Sequence, residues 1–489
     1  MIALLVSVAN ATPCVESAAR TEFVAGEDAG PPVVSTDKAR AIEELLKQYH
    51  EQGLLNGTVL VADHGQIVYE GGFGYANFEW RVANAPDTKF RIGSVTKPFT
   101  AILVLQQVRS GKIDLDAPIT KYLPEYRKDT GGRVLVRHLL THTSGIPTYI
   151  GSDIEKWTSP IPRATFMRTY CSGDLESAPG AEFSYNNCGY YLLAEILERT
   201  TGKKYAELLR EGITGPAGML DTGVDDGKTV LKKRASGYDK NYLRGEKPAR
   251  YTEITTAMGA GDLYSTAEDL FRFDRALYGD KLLPAEMRKL MFTTAKGPSA
   301  MGWFVSTAGK EHPAAGQVIQ QHEGNIFGYF TMIQRVPERE AFIAVLDNTH
   351  LDTFDDICRD ILAILYDKPY APPRPLVADT IAATLLREGP AAAAKQYREL
   401  KQKQADQYQW GGLNALGQDL LDAGRTKDAI AMFQLSVENA PQSWFSQFNL
   451  AEAYKANGEI EQANIAYDAA LKLNTAKPFK RMIEAAKAK

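Results

Sequence analysis

Cysteine is scarce. The chain has four, Cys14, Cys171, Cys188 and Cys358, and their spacing fits no zinc-ligand pattern, so no metal is called for. Buried free thiols are the expectation, with a Cys171–Cys188 bridge as the alternative in an oxidising compartment. A basic surplus is also missing. With 56 Lys and Arg against 60 Asp and Glu, the net charge of −4 supplies neither a nucleic-acid surface nor a polybasic membrane anchor. No apolar run reaches the ~18 residues of a membrane-crossing helix, so no transmembrane span is expected. What remains, 44% hydrophobic residues and 23 tyrosines, is the composition of an ordinary globular protein.

At 489 residues the chain is long for one domain. Residues 1–11, MIALLVSVANA, end in small residues in an A-x-A pattern but lack a basic leading segment. They read either as the remnant of a secretory signal or as a plain apolar leader. A periplasmic or secreted protein is the expectation on the first reading, a cytoplasmic one otherwise. Residues 12–37 form a flexible lead-in, rich in Gly, Pro, Asp and Thr. From 38 to 370 the patterns are mixed. GTVLVADHGQIVYEGGFGYAN alternates about Asp63-His64-Gly65 as a β-hairpin does, and GYFTMIQRVPEREAFIAVLDN gives a second strand pair late in the chain. Strands at both ends of a region with a helix-rich middle predict an α+β fold, an antiparallel sheet flanked by helices with a helical subdomain. APPRP then breaks the pattern, which places a linker at 371–379 and an all-α helical-repeat tail at 380–489. In that tail Leu416, Gly424, Ala429 and Phe433 recur 34 residues later as Leu450, Gly458, Ala463 and Tyr467, a period that resembles the tetratricopeptide repeat. Two repeats do not stand alone, so residues 380–403 are expected to add a preceding helix pair or the tail to dock on the main domain.

The chemistry-bearing stretch is FRIGSVTKPFTA at 90–101. A serine hydroxyl is a weak nucleophile and needs a base within hydrogen-bond reach. Phe99, Ile102, Leu103 and Val108 follow helical spacing, and on such a helix Ser94 and Lys97 share a face. Lys97 serves as that base only if burial lowers its pKa from the usual ~10.4. Ser-x-x-Lys alone is better explained by a capped core helix with a solvated lysine. A second match, Ser35-Thr36-Asp37-Lys38, reads as a helix start. Three other stretches matter. FSYNNCGYYLLAEIL sets Tyr185 and Asn187 in a polar turn before an apolar helix, whereas Tyr75-Ala76-Asn77 in the hairpin is a decoy of the same composition. QHEGNIFGYF puts His322, Glu323 and Gly324 into a strand, where glycine permits close backbone approach by a ligand and the Asn325 N–H is available as an oxyanion donor beside that of Ser94. HLLTHTSGIP at 138–147 shows no chemistry of its own, and with no glutamate placed as in a zinc protease its histidines predict no metal.

In this combination SVTK, HLLTHTSGIP, YNN, GAGDLYSTAEDLFRF and HEG resemble the serine β-lactamase-like and penicillin-binding-protein superfamily. The similar branch holds class C β-lactamases, D-aminopeptidases and family VIII carboxylesterases, and the resemblance covers roughly residues 38–370. It implies that Ser94 is the acylated nucleophile, Lys97 its proton acceptor or relay, Tyr185 a second proton carrier and Asn187 an amide that holds substrate. It also makes His322 a candidate catalytic residue, since it falls where many members carry the lysine of Lys-Thr-Gly, a tripeptide found nowhere in this chain. That replacement argues against strong β-lactamase activity, because the lysine and threonine help hold the antibiotic's carboxylate and an ionised Glu323 repels it.

The expected function is therefore a cofactor-independent serine hydrolase, a peptidase or esterase that forms an acyl-enzyme on Ser94 and hydrolyses or transfers amide or ester acyl groups. The substrate is expected to be small, a short peptide with a D-residue or a small ester. The alternative is a slow-acylating penicillin-binding or sensing protein whose repeat tail recruits a protein partner or mediates self-association. Trp303, Phe304 and the tyrosine-rich 183–191 segment are placed in the core or the pocket wall, and Tyr149 and Ile150 at its border.

Overall fold

The structure is a computed structural model and describes residues 36–147, 157–349, 354–474 and 477–488. The leader, most of the lead-in with Cys14 and Ser35, and Tyr149 and Ile150 lie outside the described residues.

Strands β1 (Gly57–Asp63) and β2 (Gln66–Gly72) form the expected hairpin. His64 and Gly65 both have positive φ, 49° and 75°, the two-residue turn whose twist matches that of its strands. Strands β3 (Phe304–Thr307), β4 (Val318–Ile326), β5 (Tyr329–Val336) and β6 (Ala341–Asp347) come from the far end of the domain. All six join one antiparallel sheet in the order β3-β4-β5-β6-β1-β2, so the first strand pairs with the last. Alternation sorts the side chains of β1 and β6 onto two faces. Val59, Val61, Ile343 and Val345 pack under helices α1 (Thr36–Glu51) and α5 (Phe354–Leu365). Leu60, Ala62, Ala344 and Leu346 face the helical insertion, which includes α2 (Thr96–Arg109), α3 (Asn187–Thr201) and α4 (Ala267–Ala276). Lys38, the lysine of the second Ser-x-x-Lys, donates to Leu365 O at 2.6 Å and so ties α1 to the end of α5.

Cys171 and Cys188 form a disulfide with Cα atoms 5.2 Å apart, which corrects the expectation of free thiols for this pair. The bridge joins the segment after residues 163–170 to the first turn of α3, positions that only the folded chain brings together. Cys358 is a free, buried thiol.

The tail is all helix: α6 (Val377–Glu388), α7 (Pro390–Lys403), α8 (Leu413–Asp422), α9 (Thr426–Asn439), α10 (Trp444–Ala456), α11 (Ile460–Leu473) and α12 (Lys477–Ala488). Leu416, Ala429 and Phe433, and their counterparts Leu450, Ala463 and Tyr467, are buried between the helices. Gly424 and Gly458 end α8 and α10 with φ of 73° and 81°. In that left-handed turn Arg425 N–H reaches Leu420 O and Glu459 N–H reaches Tyr454 O, closing the helix ends. Helix α6 begins at Val377, inside the expected linker 371–379, and Val377 and Ala378 are already part of the tail's core.

Tail and sheet domain belong to one compact unit. A hairpin of residues 238–248 reaches from the domain into the tail. Asp419 on α8, 4% exposed, accepts from Asn241 Nδ2 at 2.9 Å and Tyr242 N at 2.8 Å and pairs with Lys247 at 3.2 Å. Lys240 pairs with Asp379 at 2.7 Å, and Arg481 on α12 pairs with Glu176. Asp419→Ala strands the Asn241 and Tyr242 donors, and a loss of about 2 kcal/mol is expected in urea unfolding. Unchanged stability refutes the Asp419 contacts as the tail's anchor.

Candidate active site

Ser94 sits in a single 3-10 turn, Gly93–Val95, that runs directly into α2. Helix α2 is buried on every side from Thr96 to Leu105, which makes it the central helix of the insertion rather than an amphipathic surface helix. Lys97 is 0% exposed, so the solvated-lysine reading is excluded. Its Nζ donates to Ser94 Oγ at 2.8 Å and to Ala260 O at 2.8 Å. It also lies 4.8 Å from the centre of the Tyr185 ring and 5.6 Å from that of Tyr190. Among the described residues no carboxylate pairs with it, and burial holds its pKa well below the ordinary amine value.

The Ala260 carbonyl comes from the loop of GAGDLYS. Asp262 accepts from Gly259 N at 3.0 Å, Thr100 Oγ1 donates to Gly259 O at 2.6 Å, and Leu263 N donates to Thr96 Oγ1 at 3.2 Å. Burial raises the Asp262 pKa to about 7. No sequence signal marked Ala260, because a backbone acceptor carries no residue signature.

Tyr185 precedes α3, whose N-cap is Asn186, with its side-chain oxygen accepting from Gly189 N at 3.2 Å. HLLTHTSGIP, which showed no chemistry in sequence, is the scaffold of this turn. His142 Nδ1 accepts from Asn186 N at 3.0 Å, its O accepts from Ser184 N at 2.8 Å, and its ring lies 4.4 Å from that of Tyr185. Asn186 Nδ2 donates to Ile146 O. Burial above all holds the His142 pKa well down, so the ring is a neutral acceptor. The positive φ of 55° at His142 is unusual for a non-glycine residue. With Asn186 spent on capping, Asn187 lines the cavity, and its buried Oδ1 has no hydrogen-bond partner among the described residues. Tyr75-Ala76-Asn77 lies elsewhere, with Asn77 Oδ1 accepting from Trp80 N at 2.7 Å.

His322 is on β4, 1% exposed, with Nδ1 2.6 Å from Glu323 O. That contact puts the proton on Nδ1 and makes Nε2 the acceptor. Burial, then the Lys97 charge, lowers its pKa to about 3, so the imidazole is neutral at physiological pH. Gly324 differs in purpose from the expectation. A Cβ there stands 2.0 Å from Ile92 O and 3.2 Å from Ser94 N, so the close approach is by the backbone of Ile92 and Ser94 and not by a ligand. Across the contact, a Cβ on Gly93 stands 2.9 Å from Asn325 N.

These groups surround a cavity of about 590 Å³. Ser94, Tyr185, Asn187, His322 and Asn325 line it, with apolar walls from Trp157, Phe183, Ile254 and Phe304. Lys97 and Gly324 stand behind that lining. Phe304 thus faces the cavity, whereas Trp303 packs into the core against Phe273.

Over residues 39–367 the sequence matches the beta-lactamase family. The chain belongs to this family of serine hydrolases. Penicillin-binding protein 4* of Bacillus subtilis (strain 168) is 28% identical over 394 residues, 73% of this chain and 85% of that protein. The octameric penicillin-binding protein homologue from Pyrococcus abyssi superposes with a TM-score of 0.60 at 26% identity, over 71% of this chain and 81% of its own. The D-amino acid amidase from Ochrobactrum anthropi SV3 shares the fold, with a TM-score of 0.59 at 24% identity over 68% of this chain and 99% of that one.

Proposed function

We propose that the protein is an acyl-transfer hydrolase with Ser94 as nucleophile, acting on a short peptide with a D-residue or on a small ester. The observation that carries this reading is the 2.8 Å contact between Ser94 Oγ and a buried Lys97 amine held below its ordinary pKa. Lys97 takes the Ser94 proton as Oγ adds to the substrate carbonyl. The N–H groups of Ser94 and Asn325 hold the oxyanion, a role supported by the main-chain packing that Gly93 and Gly324 allow. Collapse expels the amine or alcohol, protonated by Lys97 or Tyr185. Water, giving up its proton to the same pair, then releases the acid. Asn187, whose Oδ1 has no partner among the described residues, suits a substrate amide N–H.

β-Lactams rank lower. His322 is neutral and Glu253 and Glu323 line the cavity, so among the described lining residues no lysine or arginine replaces the cation that a lactam carboxylate needs. The Cys171–Cys188 bridge supports an oxidising compartment, periplasmic or secreted. The docked tail suits either recruitment of a protein or self-association.

Intact-protein mass spectrometry after exposure to a fluorophosphonate, a penicillin and a p-nitrophenyl ester tests the reading. An adduct on Ser94, absent from Ser94→Ala and short-lived with the ester, is the expected result. An adduct that never turns over supports a slow sensor instead, and no adduct with any probe refutes Ser94 as nucleophile.

A further inference from the structure

Helix α2 carries a threonine on either side of Lys97, and both hydroxyls reach the loop that supplies the lysine's second partner. Thr96 Oγ1 accepts from Leu263 N at 3.2 Å, and Thr100 Oγ1 donates to Gly259 O at 2.6 Å. Ala260, whose carbonyl accepts from Lys97 Nζ at 2.8 Å, lies between those two points. The loop is fixed from other sides too. Ala260 N and Gly261 N both donate to Ala257 O at 2.8 Å, and Gly259 N donates to Asp262 Oδ1 at 3.0 Å. Gly259 has a φ of 67°, and a Cβ there stands 2.6 Å from the Ala194 Cβ on α3, so the loop is wedged between α2 and α3.

Behind Thr100 stands Tyr205, the first residue of a short helix that ends at Leu209. Its hydroxyl is 2.7 Å from Thr100 Oγ1, and both residues are buried. Thr100 has one hydrogen to give. A carbonyl only accepts, so that hydrogen goes to Gly259 O, and the Tyr205 O–H donates to Thr100 Oγ1. Burial holds the Tyr205 phenol well above its ordinary pKa, so this donor stays protonated. The hydrogen bonds therefore run in one direction, from Tyr205 to Thr100 to Gly259, and end one residue before the carbonyl that Lys97 uses. Neither Thr100 nor Tyr205 is among the residues lining the cavity.

We propose that Thr100, oriented by Tyr205, is a positioning residue for acylation: it fixes the loop so that the Ala260 carbonyl holds one N–H of Lys97 and leaves the amine lone pair for the Ser94 proton. The proposal rests on the reading of Ser94 as nucleophile and Lys97 as its base. As the Ser94 Oγ–carbon bond forms, the Ser94 proton passes to Lys97 Nζ and the amine becomes an ammonium. A carbonyl already in place stabilises that new charge without reorganising, which lowers the barrier rather than tightening substrate binding.

Pre-steady-state acylation of Ser94 by a p-nitrophenyl ester, measured beside thermal unfolding in wild type, Thr100→Val, Thr100→Ser and Tyr205→Phe, tests this. Valine keeps the shape of threonine without its hydroxyl, and the acylation rate is expected to fall between about tenfold and a hundredfold with little change in KM. Serine keeps the hydroxyl and is expected to restore most of the rate, although the lost methyl leaves a cavity that lowers the melting temperature. Tyr205→Phe, which frees Thr100 to turn from Gly259 O, is expected to give a smaller loss. If Thr100→Val does not fold, Tyr205→Phe carries the test, and wild-type acylation in it overturns the proposal. Acylation that follows the melting temperature across the variants, or a wild-type rate in Thr100→Val, overturns the positioning role while leaving Ser94 untouched. A wild-type protein that forms no Ser94 adduct overturns the nucleophile reading and this one with it.

Discussion

Lys97→Met is expected to lower kcat/KM on an activated ester by about a thousandfold and, in the same protein, to raise the melting temperature. The loss follows from the geometry: Lys97 Nζ is 2.8 Å from Ser94 Oγ, and methionine fills the slot without accepting a proton. The gain follows from burial. Lys97 is 0% exposed with no carboxylate partner among the described residues, so its charged form is penalised and its folded pKa lies well below the unfolded value. Between those two pKa values the unfolded chain binds more protons than the folded one, so wild-type stability rises with pH through that window and is lowest beneath it. The advantage of Lys97→Met is therefore largest at low pH and shrinks as pH rises toward the ordinary amine pKa. An increase of roughly 2 to 4 °C near neutrality corresponds to about 1 kcal/mol for a domain of this kind. Calorimetry across pH beside ester kinetics measures both. The acidic limb of wild-type kcat/KM should lie below the usual amine range and vanish in the residual activity of the variant. A fall in melting temperature, or near-wild-type turnover, contradicts the assignment of Lys97 as a strained general base.

Gly324→Ala is expected to cost about a hundredfold in kcat/KM together with a measurable drop in stability. The added Cβ stands 2.0 Å from Ile92 O and 2.9 Å from Ile92 C, backbone atoms that cannot rotate away as a side chain does. Strand β4 and the Ser94 turn must part, and a displacement of about 1 Å at reacting atoms is enough to lose that factor. The displaced group is the main chain of Ser94 and Asn325, so the defect should appear in acylation rate more than in KM. The lifetime of the Ser94 adduct and the acylation burst, measured beside thermal unfolding, separate misplacement from unfolding. A variant that melts lower but acylates at the wild-type rate shows that the contact serves stability alone.

The difference between Ser94 and the decoys shows where sequence reasoning reaches. Ser-x-x-Lys occurs at 35–38 and 94–97, and only the apolar spacing after Ser94 marked the second as buried. That spacing acts within one helical turn, so it was legible. The same holds for the strand alternation at 57–72 and for the repeat in which Leu416 and Leu450 face one core. HLLTHTSGIP was not legible, because His142 acts by accepting from the backbone of Asn186, 44 residues away. Cys171 and Cys188 remained ambiguous for a related reason: 17 residues of separation do not say whether two thiols meet.

By itself, then, the sequence determined the α+β class, the helical tail, and the residue types from which this family's site is built. Those follow from periodicity and from chemistry that resides in single side chains. Only the tertiary structure decided that Lys97 bonds Ala260 O as well as Ser94, that Gly324 makes room for the backbone of Ile92 and Ser94, that His322 is neutral, and that Asp419 holds the hairpin of residues 238–248. Each of these depends on burial or on a backbone atom brought from far along the chain, and neither quantity exists until the chain is folded.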